Sequence, residues 1–201
     1  MIEHSKSVRM GVKKALMVVD MPHNTYRNPK EALKNAKKII SKTKCDAVKL
    51  EGGKKIYNSI QTLIKNKIPV MGHLGLTPQS IYKFGTYAVR AKESDEAKKL
   101  IKDALLLQEL GCFSVVLEKI PALLGKRVAE HLHIPLIGIG AGSFVDGQVL
   151  VVHDMLGITQ DFKPRFLRSY ANLNALITEA VGHYIDDVKS GDFPNNKKES
   201  Y

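Results

Sequence analysis

The sequence predicts an α/β fold in which short parallel strands alternate with helices, and three observations support it. Five apolar runs rich in Val, Ile and Leu have the composition of strands that are buried on both faces. Helical segments separate these runs, and alternation at this spacing is typical of a parallel sheet covered by helices. Each run also ends on a polar or glycine-rich position. The five runs span residues 16–20, 47–51, 68–73, 115–118 and 136–142.

The elements can be placed in order along the chain. A short helix that starts at Met1 leads to a strand over 15–20, and Pro29 then occupies the first turn of a helix that ends near Lys42. Proline suits that turn because the N–H it lacks has no partner within the helix. The later elements are a strand at 47–51, a helix at 54–66, a strand at 68–73, a helix at 95–110, strands at 112–118 and 134–140 around a helix at 122–131, a strand at 149–153, and a helical region at 166–190.

A long loop over residues 74–94 is rich in Gly, Thr and Pro. Loops of this length in compact domains usually carry function. We predict one domain over residues 1–190, followed by a disordered tail over 191–201.

A parallel sheet with outer helices is either doubly wound or a (β/α) barrel. We favour the TIM-barrel type, (β/α)8, because acidic residues stand at the tips of several strands instead of around one crevice. A complete eight-stranded barrel takes about 250 residues. With six predicted strands, the chain is expected to be short of that barrel by about two βα units.

The charge pattern indicates a solvated surface and no nucleic-acid partner. The net charge is +11, but 25 of the 31 basic residues are Lys spread along the whole chain, and Trp is absent. A nucleic-acid site would be better matched by clustered Arg interleaved with aromatic residues.

Cys45 and Cys112 are isolated, as expected for small core residues in a reduced, cytoplasmic protein. No apolar stretch is long enough to span a membrane, and residues 1–11 do not read as a signal peptide, so we predict no membrane association.

Three residues form a candidate anion and metal site. Lys49 and Glu51 are two apart on an extended strand, so their side chains are expected on the same side of the sheet. Asp20 ends the preceding strand, and its carboxylate could converge with that of Glu51 on a hard cation such as Mg²⁺. In the competing interpretation, Asp20 only begins a turn and Glu51 pairs with Lys49.

Glu118 is the candidate for proton chemistry because it directly follows the apolar run 115–117 at a strand tip. The alternative is a structural pair with Lys119 or another base. His73 is either a hydrogen-bonding group beside the site or a packed core histidine.

Other motifs are weaker. The glycines at 138, 140 and 142 lack the spacing of a dinucleotide fingerprint. His131 and His133 are expected to diverge, which argues against a metal role for them.

Several motifs together resemble a known family. They are Val-Lys-Leu-Glu-Gly-Gly at 48–53, Gly-His-Leu-Gly-Leu-Thr-Pro-Gln at 72–79, Leu-Glu at 117–118, Ile-Pro-Leu-Ile-Gly-Ile-Gly-Ala-Gly at 134–142, Asp-Gly-Gln at 146–148, His-Asp at 153–154 and Leu-Gly at 156–157. Their order and spacing resemble those of the ketopantoate hydroxymethyltransferase (3-methyl-2-oxobutanoate hydroxymethyltransferase) family over nearly the whole chain. The run at 72–79 is the most specific of them.

The resemblance implies a Mg²⁺-dependent barrel enzyme of pantothenate synthesis. It would transfer a hydroxymethyl group from 5,10-methylenetetrahydrofolate to α-ketoisovalerate through a Mg²⁺-stabilised enolate. By resemblance, Asp20 and Glu51 are metal ligands, Asp20 also contacts the keto acid, Lys49 binds the substrate and Glu118 is the catalytic base. The family also implies a homo-oligomer.

The sequence departs from the family pattern in two places. The family has two βα units before the point that matches Met1, and the second of them carries a Gly-Asp-Ser motif with another metal acid and a substrate-binding serine. The family's Asp-Leu-Pro-Phe stands here as Asp-Met-Pro-His at 20–23. We therefore expect a barrel that lacks the first two βα units.

Two alternatives to the transferase stay open at this point. One is a related Mg²⁺-dependent, enolate-forming lyase that is indifferent to folate. The other is a catalytically impaired remnant or fragment that binds a keto acid or a partner chain, which the missing first units motivate.

Overall fold

The computed structural model describes residues 1–80, 85, 88–161 and 163–201. In these residues one sheet contains six parallel strands, and their spatial order is the same as their order in the chain. A doubly wound sheet would reverse its strand order at a switch point, whereas a barrel adds each strand beside the previous one. The sheet is a curled half-barrel, so the predicted barrel-type α/β fold is confirmed. The strands are β1 (Val18–Asp20), β2 (Ala47–Glu51), β3 (Val70–Gly75), β4 (Ser114–Glu118), β5 (Leu136–Ile139) and β6 (Gly147–Gln148).

The chain divides into two compact units, Met1–Val149 and Leu150–Tyr201. Among its described residues, the first unit contains the six strands and five α-helices, together with 3₁₀ turns at Lys54–Ile56 and Pro78–Ser80. The predicted domain over 1–190 and the predicted disorder of 191–201 stay predictions. The five helices are α1 (Ile2–Gly11), α2 (Pro29–Thr43), α3 (Tyr57–Lys65), α4 (Ser94–Leu110) and α5 (Ala122–His131).

Local sequence explains where α2 begins and ends. The Asn28 side chain accepts a hydrogen bond from the Glu31 N–H at 3.0 Å, which satisfies one of the free donors of the first turn. Pro29 is the first helical residue, as predicted. At the other end Lys44 adopts the left-handed conformation that closes the helix, and its N–H bonds to the Ile40 carbonyl.

The two faces of the sheet differ in burial. Alternate residues on one face are fully buried, among them Val48, which lies beside Val70, and Val115, which lies beside Gly72. Gly72 belongs to this face, and a Cβ atom there would lie 2.6 Å from Leu107 Cδ1 of α4. This face therefore packs directly against the helices. The opposite face carries Asp20, Lys49, Glu51, His73 and Glu118.

In the second unit the described residues form the helices α6 (Val152–Met155) and α7 (Leu173–Ser190). The Asn172 side chain caps α7 by accepting a hydrogen bond from the Ala175 N–H at 3.4 Å. Six apolar side chains of α7 are between 42 and 60% exposed: Leu176, Ile177, Val181, Tyr184, Ile185 and Val188. In the part of the chain that the structure describes, no helix is both long enough and apolar enough to cross a membrane.

The structure corrects two predicted elements. The last strand is not at 149–153: β6 is the pair Gly147–Gln148, and Val152 begins the short helix α6. The Val149 N–H still bonds to the Gly138 carbonyl, so the apolar run begins where pairing with β5 ends. The predicted helical region 166–190 forms a helix only from Leu173 onward, because the Asn172 cap starts it there.

The long loop is also shorter than predicted, since β3 continues to Gly75 and a 3₁₀ turn follows at Pro78–Ser80. Residues 81–84 and 86–87 of that loop lie outside the described residues.

Candidate active site

The candidate site lies where four neighbouring strands end. Asp20 is the last residue of β1, Glu51 of β2 and Glu118 of β4, while His73 lies near the end of β3. The register pairs Asp20 with Lys49 and Glu51 with His73, which places these side chains on one face of the sheet. The carboxyl ends of parallel barrel strands are where barrel enzymes carry out their chemistry.

Lys49 forms an ion pair across the first two strands. Its Nζ lies 3.3 Å from Oδ1 of Asp20, and both side chains are partly accessible, at 21 and 40% exposure. Lys49 therefore pairs with Asp20 and not with Glu51, unlike in the competing interpretation of the sequence. The pair presents both a cation and an anion at the edge of the site.

Glu51 is more deeply buried, and its side chain is 7% exposed. Its Oε1 accepts a hydrogen bond from the Gln79 N–H at 3.3 Å and lies 3.7 Å from His73 Nδ1. Burial raises the pKa of the Glu51 carboxyl, and Asp20 adds to that rise, whereas His73, the Gln79 N–H and Lys49 oppose it. Asp20 is thus close enough to act on Glu51 electrostatically.

His73 lies between two carboxylates. It is 2% exposed, and its Nε2 lies 3.3 Å from Oε2 of Glu118 while its Nδ1 faces Glu51. Among the described residues, neither ring nitrogen has a partner in hydrogen-bonding geometry. Glu118 therefore contacts a base, but that base is His73 and not Lys119.

Two residues that contact Glu51 were not predicted as site residues from the sequence. Gln79 ends the specific run at 72–79, and besides its bond to Glu51 its side-chain amide donates to the Met21 carbonyl at 3.2 Å. The hydroxyl of Tyr26 accepts a hydrogen bond from the Glu51 N–H at 3.3 Å. Burial raises the pKa of Tyr26 to about 12, so the phenol stays neutral beside the carboxylates. The position of Gln79 in the motif was an available signal; Tyr26 had none.

The backbone of Glu118 is fixed by the turn that follows β3. The Leu76 N–H donates to the Glu118 carbonyl at 2.8 Å. Gly75 has a φ of +91°, and a Cβ atom there would lie 2.3 Å from the same carbonyl oxygen. Only glycine permits this turn, and the turn holds the end of β4 against the end of β3.

The weaker motifs have structural explanations. A Cβ on Gly142 would lie 2.4 Å from the Ala122 Cβ, so this glycine permits the close approach of α5. The Nδ1 of His131 lies 2.6 Å from the Arg127 carbonyl oxygen, and the N–H of His133 donates to Gln108. Neither histidine belongs to the site.

The chemistry of the acids fits a hard cation. Mg²⁺ is held in proteins by one or two carboxylates, with waters and substrate oxygens completing its shell. The Oε2 of Glu51 is buried without a hydrogen-bond partner among the described residues, and so has a free electron pair for a ligand. A group of three or more His, Cys, Asp or Glu side chains that could hold a metal is not found in that part of the chain. Asp20 and Glu51 are the two carboxylates that could hold such an ion, because they lie close enough to interact electrostatically.

A cavity of about 620 Å³ lies beside Glu51. The loops after β1, β2 and β3 line it together with the first half of α4, through residues that include Tyr26, Gly53, Thr77 and Leu100. Its volume and its mixture of apolar and polar walls are typical of sites for small organic molecules.

Comparison with known proteins places the chain among enzymes of one kind. The family model described as ketopantoate hydroxymethyltransferase matches residues 1–196. The 3-methyl-2-oxobutanoate hydroxymethyltransferase of Parabacteroides distasonis is 62% identical over 200 residues, which are 99% of this chain and 73% of that protein. The protein of the same name from Porphyromonas gingivalis is 62% identical over 202 residues, 100% of this chain and 74% of its own length. The one from Flavobacterium johnsoniae is 61% identical over 196 residues, 97% and 72% of the two chains.

Solved structures agree on the fold. A putative phosphonomutase from Burkholderia cenocepacia superimposes with a TM-score of 0.54 at 9% identity, covering 94% of this chain and 76% of that one. Orotidine 5'-monophosphate decarboxylase from Methanocaldococcus jannaschii gives a TM-score of 0.54 at 14% identity, covering 77% and 72%. These likenesses show the barrel-type architecture alone. With the family model matching nearly every residue and the relatives about 60% identical, the chain belongs to the ketopantoate hydroxymethyltransferase family of transferase enzymes.

Proposed function

We propose that this protein transfers a hydroxymethyl group from 5,10-methylenetetrahydrofolate to 3-methyl-2-oxobutanoate (α-ketoisovalerate), giving ketopantoate. Family membership supports the reaction class. The observation that carries the assignment of roles is the set of three carboxylates and one lysine at the ends of neighbouring strands, on one face of the sheet.

Glu118 is the general base that removes the proton from C3 of the keto acid. Its side chain is 16% exposed, so it is accessible to a substrate but mostly shielded from water. Its backbone is fixed between β3 and β5, because its carbonyl accepts from Leu76 and the next residue, Lys119, donates its N–H to the Ile139 carbonyl. A base that is held in place and partly desolvated can take a proton without first reorganising its surroundings.

Lys49 binds the carboxylate of the keto acid. Its ammonium group is partly exposed and is held at the site by Asp20, which orients it without burying it. Asp20 also contacts the keto acid in this assignment. An ammonium beside a carboxylate matches a substrate that is anionic at one end and coordinates a cation at the other.

Asp20 and Glu51 hold Mg²⁺. When bound, the ion supplies Lewis-acid stabilisation of the negative charge that develops on the keto acid as its proton leaves. Glu51 is kept in place for this role by the Gln79 N–H.

The cavity beside Glu51 is the place for the folate co-substrate. The nucleophilic C3 forms a carbon–carbon bond with the methylene carbon, and the two bonds from that carbon to N5 and N10 of the folate break. Water supplies the hydroxyl group, and tetrahydrofolate leaves with one proton from C3, passed on by Glu118, and one from water on its two nitrogens. We further propose that the protein is cytoplasmic and that it forms a homo-oligomer. The exposed apolar side chains of α7 support the homo-oligomer.

Exchange of the C3 proton of 3-methyl-2-oxobutanoate with deuterium, followed by proton NMR with Mg²⁺ present, tests this assignment. We expect exchange by the wild-type chain, and ketopantoate once the folate is added. Glu118→Gln should slow exchange by about 10²- to 10⁴-fold, the usual contribution of a general base. Glu130→Gln, which changes an exposed acid on α5, is the matched control and should exchange normally.

Three results would contradict the proposal. Exchange that survives in Glu118→Gln would remove Glu118 as the base. Folate-independent cleavage of a larger acid would favour the lyase. Binding of the keto acid without exchange in the wild-type chain would favour the non-catalytic binder.

A further inference from the structure

His73 has no part in the mechanism above, yet it is the most buried polar side chain of the site, at 2% exposure. It lies on β3, the strand between β2 and β4, and each of its ring nitrogens faces a carboxylate on a different neighbouring strand. Its position on the sheet is fixed, since the Gly52 N–H donates to the His73 carbonyl at 3.0 Å.

A histidine that only fills space would not need carboxylates on both sides. Burying a polar ring costs free energy unless its nitrogens are compensated. Buried polar side-chain atoms usually satisfy their hydrogen-bonding capacity with backbone groups or ordered water. At His73 the groups within reach are Oε1 of Glu51 at 3.7 Å and Oε2 of Glu118 at 3.3 Å. The ring therefore joins two groups with different tasks.

We propose that His73 is a positioning residue that orients the base Glu118 through Nε2 and the metal ligand Glu51 through Nδ1. The inference rests on the proposed function, because it takes the roles of those two acids from it. One imidazole on the central strand then sets both the direction in which the base reaches for the proton and the direction in which Glu51 offers its free Oε2.

The two halves of this role can be separated by substitution. The amide of Asn lies near the position of Nδ1, and the longer side chain of Gln carries its amide to the position of Nε2. His73→Asn thus keeps a polar group towards Glu51 and loses the one towards Glu118. His73→Gln does the reverse, and His73→Leu removes both.

The experiment measures two quantities on each variant of the full chain. The first is the rate of C3 proton exchange, which reports on Glu118. The second is Mg²⁺ affinity, from calorimetric titration in the presence of 3-methyl-2-oxobutanoate, which reports on Glu51 without turnover. His131→Gln is the matched control, since it changes an exposed histidine at the end of α5 that is outside the site.

We expect a split between the two readouts. His73→Asn should exchange about 10- to 100-fold more slowly while its Mg²⁺ affinity stays near that of the wild type. His73→Gln should bind Mg²⁺ about 10- to 100-fold more weakly while its exchange rate at saturating Mg²⁺ is largely kept. His73→Leu should lose both, and the control neither.

A purely structural histidine gives a different pattern. Equal losses in Asn and Gln variants, or full function in the Leu variant, would overturn the inference while leaving the proposed function standing. A wild-type chain with neither exchange nor Mg²⁺ binding would overturn both.

Nitrogen NMR of the His73 ring keeps the test decisive where the His73 variants do not fold. Glu51→Gln and Glu118→Gln should each change the nitrogen shifts of the ring, because each removes one of the two carboxylates that face it. A ring that responds to neither substitution would refute the inference.

Discussion

The two faces of the six-stranded sheet are made from the same strands and yet differ in almost every property. Along β2, Val48 and Leu50 are fully buried against the helices, whereas Lys49 and Glu51 between and beyond them reach the site. The helix-facing side chains are apolar, and most are Val or Leu. The opposite face carries the charged residues of the site, Asp20, Lys49, Glu51 and Glu118, beside apolar residues such as Met71 and Val116. Stability and chemistry are thus assigned to alternate residues of one strand.

Leu50→Ala tests the helix-facing side and is expected to have the largest effect on stability. Leu50 is fully buried, so the substitution removes buried methyl groups and leaves a cavity. Truncation of such a leucine costs about 2–5 kcal/mol of unfolding free energy. Denaturant unfolding followed by circular dichroism measures it. A loss below about 1 kcal/mol would mean that this face is not closely packed.

Lys49→Met changes the neighbour of Leu50, on the opposite face of the sheet. This substitution should affect substrate binding and leave stability nearly unchanged. The ion pair with Asp20 is partly exposed, and such pairs contribute about 0–1 kcal/mol, so the unfolding free energy should change little. Loss of a charged contact to the substrate costs about 1.5–3 kcal/mol, which corresponds to a rise in KM for the keto acid of about 10- to 100-fold. Steady-state kinetics measures this rise, and an unchanged KM would remove Lys49 from substrate binding.

Gly72→Ala tests how closely the helix-facing side is packed. The new methyl group would lie 2.6 Å from Leu107 Cδ1, so either α4 or the leucine must move. Overpacking of this kind costs about 1–3 kcal/mol. Gly182→Ala in α7 is the matched control, because nothing lies within 4 Å of its added Cβ. Thermal unfolding of the two variants compares them, and equal melting temperatures would contradict the close approach.

The smallest expected effect concerns Cys112, whose thiol should hardly react in the native protein. Burial raises the pKa of this thiol to about 12, so almost none of it is thiolate at pH 8. Both cysteines are buried, and a thiol-specific reagent should label the native protein slowly and the urea-unfolded protein fully. Fast labelling of the native chain would show that the core around Cys112 opens readily.

The contrast between buried and accessible side chains also explains which parts of the fold could be predicted from the sequence. A run such as Val115–Leu117 can only be a strand buried on both faces or a helix segment, and its short length decides between them, so strand identity was readable from the sequence. The predicted strand at 149–153 failed for the opposite reason. Its valines are apolar but 44–52% exposed, and pattern alone cannot show that hydrogen bonding to β5 has already ended.

The site could be predicted only in part. Asp20, Glu51 and Glu118 each end a strand, and Lys49 lies two residues before Glu51, which the sequence shows directly. Their partners depend on register, which it does not show. That Lys49 meets Asp20 and that Glu51 lies beside His73 follows from which residues are opposite each other in neighbouring strands. Glu118 is opposite Gly75 and approaches His73 diagonally, from two residues further along β4.

The sequential strand order has a consequence for how the chain folds. In the part of the chain that the structure describes, each strand after β1 pairs with the strand that was synthesised just before it. Pairing between consecutive segments keeps the entropic cost of loop closure low and lets structure grow in one direction. We therefore expect a nascent chain to add its strands one at a time, with Asp20, Glu51, His73 and Glu118 brought into the site in the order in which the ribosome delivers them.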